Sequence, residues 1–145
     1  AVTALTTLNQ QAPQRLDYLS DLAVAYNHQG RLFMDCRAMR PARHALQSAE
    51  THLRLLCHHC PQQTSYASQL AGVLHNLSLV SELEGHTATA LVYSEQAIEL
   101  QKRALTLAPS SQRCRTFLQQ HEEQARRQQH SYALAEADQS AESAP

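Results

Sequence analysis

Glycine and tryptophan are scarce in this chain, which has three Gly and no Trp among 145 residues. A glycine-poor sequence with tracts of Ala, Leu, Gln, Glu and Arg favours helix over sheet. The same scarcity argues against a P-loop or a dinucleotide-binding loop, because both cradle phosphates with glycine backbone. The length suits one domain with a real core, so the sequence predicts a single all-α domain.

An excess of charge of either sign is also absent. Twelve Lys and Arg are matched by 13 Asp and Glu, and the formal net charge is −1 with His neutral, although nine His make it more positive near pH 6. This balance gives no reason to expect nucleic acid or a membrane surface as a partner. No apolar run approaches the roughly 20 residues of a membrane span.

Targeting and catalytic signals are missing as well. The start of the chain, AVTALTTLNQQAP, has no basic leader and no long apolar core, so we expect no signal peptide. The four cysteines form no obvious disulfide framework, which favours reduced thiols in the cytoplasm. Cys36 and Cys114 have no base and orienting group at a recognisable spacing. We therefore expect neither an enzyme nor a cofactor.

One cluster has the composition of a metal site. Cys57 and Cys60 enclose two histidines, and the C-x-x-C spacing is compatible with zinc. Against this, the two cysteines align with Leu105 and Ala108 in a later copy of the same segment, where apolar packing is expected. No second ligand pair follows at finger spacing, so helix-end packing is the favoured interpretation.

What the sequence does contain is an internal repeat. A shift of 48 residues places Tyr66 on Tyr18, Leu70 on Leu22, Ala90 on Ala42 and Ala97 on Ala49. The same shift joins three prolines at positions 13, 61 and 109. A fixed period of this size indicates a stack of helical hairpins.

The repeat predicts the organisation of the chain. Residues 1–13 would be the tail of a preceding repeat helix ended by Pro13, because proline disfavours helix at the residue before it. Two repeats would follow at 14–61 and 62–109, then a C-terminal capping helix at 110–137 and a flexible tail at 138–145. We expect about five helices, with breaks near residues 13, 36, 61, 85 and 109.

Periodic apolar residues predict which face of each helix is buried. In the second helix of the first repeat we expect Ala42, Ala45, Leu46, Ala49, Leu53, Leu56 and Cys60 to line one face, and in the second repeat we include Leu83 and Leu107. Gly30 should allow a close approach between helices. Gly85 should form a turn whose equivalent in the first repeat is Arg37. Thr64 or Ser65, and Ser110 or Ser111, are candidate helix N-caps.

With the repeat laid out, the chain resembles the tetratricopeptide repeat family. The small residues Gly30, Ala42 and Ala49 are spaced by 12 and then 7, and a proline closes the unit. The period is longer than the usual 34 or so residues. The segment YLSDLAVAYNHQG is similar to repeats of bacterial multidomain proteins, many of which also carry Ser/Thr kinase domains. The resemblance implies antiparallel hairpins stacked as a right-handed α-solenoid.

In such a solenoid the first helices of the repeats line a concave groove. A protein or peptide partner would lie there, and the residues opposite the apolar stripe are the candidates to bind it: Asn27, Arg31, Met34, His75, Leu79, Glu82 and Arg127. Members of the family that bind a C-terminal carboxylate use paired Asn on successive helices. Here His28 stands one repeat before Asn76, which argues against that ligand.

Two functions fit these observations. The first is a non-catalytic scaffold for protein–protein interaction, which binds a peptide or protein segment in the groove. The alternative is a structural module that self-associates, as a homodimer for example, through the open ends of the repeat stack. Light scattering of the purified chain would separate the two.

The preference for packing over zinc gives a first prediction. The double variant Cys57→Leu with Cys60→Ala should keep its helicity, measured by circular dichroism, because it restores residue types found 48 positions later. The purified protein should contain no stoichiometric zinc. Loss of helicity in the variant, or one zinc per chain, would show that the cluster is a metal site.

Overall fold

The computed structural model describes residues 2–144, with their side chains from residue 12 onward. Five helices follow one another: α1 Val2–Asp35, α2 Met39–His59, α3 Thr64–Leu83, α4 Thr87–Leu107 and α5 Gln112–Glu142. No strand occurs in this part of the chain, so the predicted all-α class is confirmed. Of the described helices, none combines the length and apolar character needed to cross a membrane.

Each helix packs chiefly against the next one along the chain. Within the α3–α4 pair the direction is antiparallel, because Ser78 contacts Ala90 at 2.8 Å while the earlier Ser68 contacts the later Gln101 at 3.2 Å. Helices α1, α3 and α5 also contact one another in sequence. These odd-numbered helices therefore form one side of the molecule.

Of the seven residues assigned to the apolar face of α2, Cys60 lies just beyond the helix and is half-buried, whereas the other six are buried as predicted. They pack with a buried cluster from α3 that includes Leu70, Leu74 and Leu77. Two other predictions are wrong, because Leu83 is 55% and Leu107 is 48% exposed. Both are the last residues of their helices, beyond the packed region.

The turns inside the two hairpins have matching backbone conformations. Gly85 has φ 82° and Arg37 has φ 60°, and they are the only described residues with positive φ. An L-residue such as arginine adopts this left-handed conformation at a cost, whereas glycine does so freely. The equivalence of Arg37 and Gly85 is thus confirmed.

The predicted break at Pro13 is wrong, because α1 runs without interruption through this proline. The residues around Pro13 are Gln, Ala and Arg, which all favour helix and offer no turn or cap. Proline lacks the N–H donor, and its ring crowds the carbonyl group four residues earlier, so the helix continues there at a local cost. By contrast, Pro61 and Pro109 lie in the turns between helices, as predicted.

The ends of α5 and α3 also differ in part from expectation. Ser111 is the N-cap of α5, and its side chain accepts a hydrogen bond from the backbone N–H of Cys114 at 3.2 Å. The expected cap of α3 at Thr64 or Ser65 is wrong, since Gln63 is the N-cap and makes no side-chain cap bond. Helix α5 continues to Glu142, through most of the predicted flexible tail.

The closest approach of helices in the first hairpin occurs at Gly30. A Cβ atom placed there would lie 2.6 Å from Cγ of Leu46 and 3.4 Å from the carbonyl oxygen of Ala42. Leu46 is fully buried, so its side chain cannot swing into solvent to make space for an added Cβ atom. The predicted role of Gly30 is confirmed.

The second hairpin solves the same problem with different residues. Forty-eight positions later, Ser78 stands for Gly30 and Ser94 stands for Leu46. The Ser78 hydroxyl donates to the carbonyl of Ala90 at 2.8 Å and lies 2.8 Å from the Ser94 hydroxyl. A small residue facing a large one is thus exchanged for two small polar residues whose hydroxyl oxygens are 2.8 Å apart.

The contact at Gly30 can be tested by adding one methyl group. Gly30→Ala should destabilise the fold by about 1–3 kcal/mol, since overpacking against Leu46 outweighs the gain in helix propensity. In a Leu46→Ala background the same change should instead stabilise by up to about 1 kcal/mol. Chemical denaturation measures both values.

Gly72 provides the matched control. A Cβ atom on Gly72 would meet no atom within 4 Å, so Gly72→Ala should stabilise the protein by up to about 1 kcal/mol. Equal effects of Gly30→Ala and Gly72→Ala would show that α1 and α2 do not approach closely.

Candidate functional site: a groove between helices α1, α3 and α5

A groove of about 750 Å³ lies along one side of the molecule. It is lined by the middle of α1, the first half of α3 and the first half of α5. Val24 and Phe117 provide apolar surface on its two outer helices, and Gly72 lies on the central one. A Cβ atom added to Gly72 would meet nothing within 4 Å, so the centre of the groove is open.

The structure brings together three of the seven residues assigned to a groove from the sequence. Asn27, Arg31 and His75 line it. The other four lie outside it, further towards the C-terminal ends of their helices: Met34, Leu79, Glu82 and Arg127. Of these, Met34 packs against the core, and Arg127 is exposed, 3.9 Å from Glu123.

A buried polar network joins α3 to α5 where the groove ends. The Gln128 side chain donates to the Ser78 hydroxyl at 2.7 Å and to the Glu82 carboxylate at 3.0 Å. Its carbonyl oxygen accepts from Ser94 at 2.6 Å, so the same side chain also reaches α4. The network fills the space between α3 and α5, which explains why Glu82 faces α5 rather than an open groove.

Asparagines on successive helices do pair, although the repeat alignment predicts that His28 breaks such a pair. Asn76 donates its side-chain N–H to the carbonyl oxygen of Asn27 at 3.0 Å. The separation is 49 residues rather than 48, so alignment by the repeat places His28 opposite Asn76 instead. Only the packing of α1 against α3 shows which of the two side chains reaches across.

Two histidines meet on the α5 side of the groove. Nδ1 of His75 and Nδ1 of His121 are 3.2 Å apart, so one of them carries the proton and donates to the other. His121 is 4% exposed, and its Nε2 is buried without a hydrogen-bond partner in the described structure. Sequence reasoning missed His121 because it falls two residues before the repeat equivalent of His75.

Both histidines resist protonation. Burial, together with a smaller contribution from the neighbouring His75, lowers the pKa of His121 from 6.5 to about 4. Burial also lowers the pKa of His75, with a smaller contribution from the positive charge of Arg127. The pair is therefore neutral at pH 7.

The cysteine cluster lies away from this groove, at the end of α2. Cys57 and Cys60 are half-buried, and burial raises the pKa of the Cys57 thiol despite the nearby Arg103 and Arg54. A raised pKa disfavours the thiolate that zinc requires. In residues 12–144, where side chains are described, no three His, Cys, Asp or Glu side chains are grouped so that they could hold a metal ion.

The histidine pair makes stability depend on pH. Because the folded pKa values lie below the unfolded value of 6.5, the unfolded chain binds more protons in acid. The stabilising contribution is complete above pH 6.5 and is lost as pH falls towards 4. Between pH 7 and pH 4 the wild type should therefore lose more stability than His121→Gln does, by on the order of 1–2 kcal/mol.

The free energy of unfolding is measured at several pH values between 7 and 4, and its slope against pH is compared between the wild type and the variants. His130→Gln is the matched control, since His130 is on the same helix and exposed. If His121→Gln and His130→Gln change the slope equally, the buried pair is not the source.

Comparison with known proteins gives no assignment, because no family model and no curated protein matches the chain. The interpretation of the groove therefore depends on its own shape and chemistry.

Proposed function

We propose that this protein is a non-catalytic scaffold that binds a peptide or protein segment in the groove between α1, α3 and α5. The observation that carries the proposal is the groove itself, which presents apolar, hydrogen-bonding and charged side chains from three helices. Surfaces of this mixed kind bind peptides through a few dominant contacts surrounded by weaker ones.

The architecture we infer for the scaffold is a tetratricopeptide-like right-handed solenoid. Two observations support it: the hairpin turns recur at a 48-residue spacing with the same backbone conformation, and the first helices of successive hairpins contact one another. In such a stack each hairpin contributes one helix to a shared groove. The proposal includes a cytoplasmic location with reduced thiols, which is consistent with this role.

Self-association is the second candidate, and one observation favours it. Tyr18 and Leu32 on α1 are each 65% exposed, and their spacing of 14 residues places them on one side of the helix. A second copy that packs there would bury both side chains. Light scattering of the wild type and of Leu32→Glu would show whether a dimer forms and whether it uses this side of α1.

Blocking the groove tests the main proposal. Gly72→Trp places a large ring in the open centre of the groove, where an added Cβ meets no neighbour. Peptides selected on the wild-type protein from a phage-displayed random library should bind this variant at least about tenfold more weakly, because the ring excludes them. Fluorescence anisotropy with the synthetic peptides measures the affinities.

Glu95→Trp is the matched control, because Glu95 is exposed on α4 and does not line the groove. Circular dichroism confirms that both variants are folded. If Gly72→Trp leaves binding intact while Glu95→Trp abolishes it, the opposite face of the molecule binds the partner and the proposal is wrong.

A further inference from the structure

The charges that line the groove are of one sign. Arg31 on α1 and Arg113 on α5 line it, and among its lining residues in the described part of the chain none is Asp or Glu. Composition does not explain this, since the whole chain has 13 Asp and Glu against 12 Lys and Arg. In residues 12–144 neither arginine takes part in an ion pair. Two guanidinium charges are therefore free to attract an anion.

Phe117 holds one of these arginines in place. The guanidinium of Arg113 lies over the Phe117 ring, 5.3 Å from its centre. A guanidinium over a ring can keep the N–H donors in its own plane free for a carboxylate. Glu123, further along α5, is paired with Arg126 at 2.8 Å.

Two helix N-termini add positive potential at the same end of the groove. Thr64 and Ser65 in the first turn of α3 line it, as does Ser111, the N-cap of α5. Neither helix has an acidic residue in its first turn, and the cap residue of α3 makes no side-chain bond. Each N-terminus carries about half a positive elementary charge. Arg113 therefore acts together with two helix dipoles.

Arg31 lies towards the other end. It is one turn beyond Asn27, which contacts Asn76, and Asn76 lines the groove far from Thr64 on the same helix. The distance from Thr64 to Asn76 along α3 is about 18 Å at 1.5 Å per residue. An extended peptide covers this length with about five or six residues.

We propose that the groove binds an extended acidic peptide segment of another protein, through side-chain carboxylates at Arg113 and the two helix N-termini at one end and at Arg31 at the other. The proposal rests on the proposed function, to which it adds the chemistry of the ligand. The neutral His75 and His121 and the paired asparagines offer hydrogen bonds between the two charged ends.

The experiment uses a random peptide library fused to phage through the peptide C-termini, so that no free terminal carboxylate is present. Clones are kept if they bind the wild-type protein and lose binding to Gly72→Trp. We expect these clones to contain an excess of Asp and Glu over Lys and Arg, relative to the unselected library. Their synthetic, C-terminally amidated peptides then serve as probes.

Gly72 also allows a test of charge at constant shape. Gly72→Lys and Gly72→Glu both place a flexible side chain in open space at the groove centre and have similar helix propensity. The acidic probes should bind Gly72→Lys about tenfold more tightly than Gly72→Glu, with Gly72→Gln between them. The difference should shrink in high salt, because the charges are exposed to solvent.

Charge reversal locates the two ends. Arg31→Glu and Arg113→Glu should each weaken the acidic probes by about tenfold. Arg115→Glu is the matched control, since Arg115 is exposed on α5 two residues from Arg113 but does not line the groove. It should leave binding unchanged.

The outcomes separate this inference from the proposed function. Groove-dependent clones without an acidic excess, or equal binding to Gly72→Lys and Gly72→Glu, would overturn the acidic ligand and leave the scaffold standing. No groove-dependent clone at all would overturn both. A short oligothymidine that binds more tightly than the peptides and is excluded by Gly72→Trp would assign the groove to nucleic acid. A synthetic peptide of residues 134–145 that meets the same two criteria would assign the groove to a second copy of this chain.

Discussion

In the first hairpin the side chain of Leu46 lies against the backbone of Gly30, and this contact sets the distance between α1 and α2. Helices approach this closely only where one of them lacks a side chain or carries a short one. The second hairpin meets the same constraint with the two small residues Ser78 and Ser94, whose hydroxyl oxygens are 2.8 Å apart. Other packing contacts depend on these two pairs. The pairs fix the rotation of α1 against α2 and of α3 against α4, and therefore which faces of α1 and α3 point outward.

Those outward faces form the groove. At one end of it, the serine pair of the second hairpin is extended by Gln128 into a network that joins three helices. A buried network of this kind is stable only when its members are satisfied, so α5 is held in one position against α3. Beyond the network α3 and α5 leave open space, and there Gly72 provides no side chain to fill it. The buried network and the groove therefore lie on the same helices but at different turns along them.

Electrostatics distinguish the groove from the rest of the surface. The chain as a whole is nearly neutral, yet the groove collects two arginines and two helix N-termini and no acidic side chain within the described residues. His75 and His121 stay neutral at pH 7 because burial lowers their pKa values, whereas Arg31 and Arg113 carry a charge at every physiological pH. The groove therefore keeps its positive character across the physiological pH range.

The sequence by itself determined the helices, because their limits depend on local signals: apolar period, turn residues and caps. It located four of the five breaks, the buried face of α2, and the equivalence of Arg37 and Gly85. It failed at Pro13, where the helix continues although proline removes a backbone hydrogen bond, and no neighbouring residue supplies a turn or a cap. Only the tertiary structure decided which side chains meet between helices. A shift of one or two residues from the repeat pairs Asn76 with Asn27 and His75 with His121, since contacts across helices depend on their rotation and relative displacement.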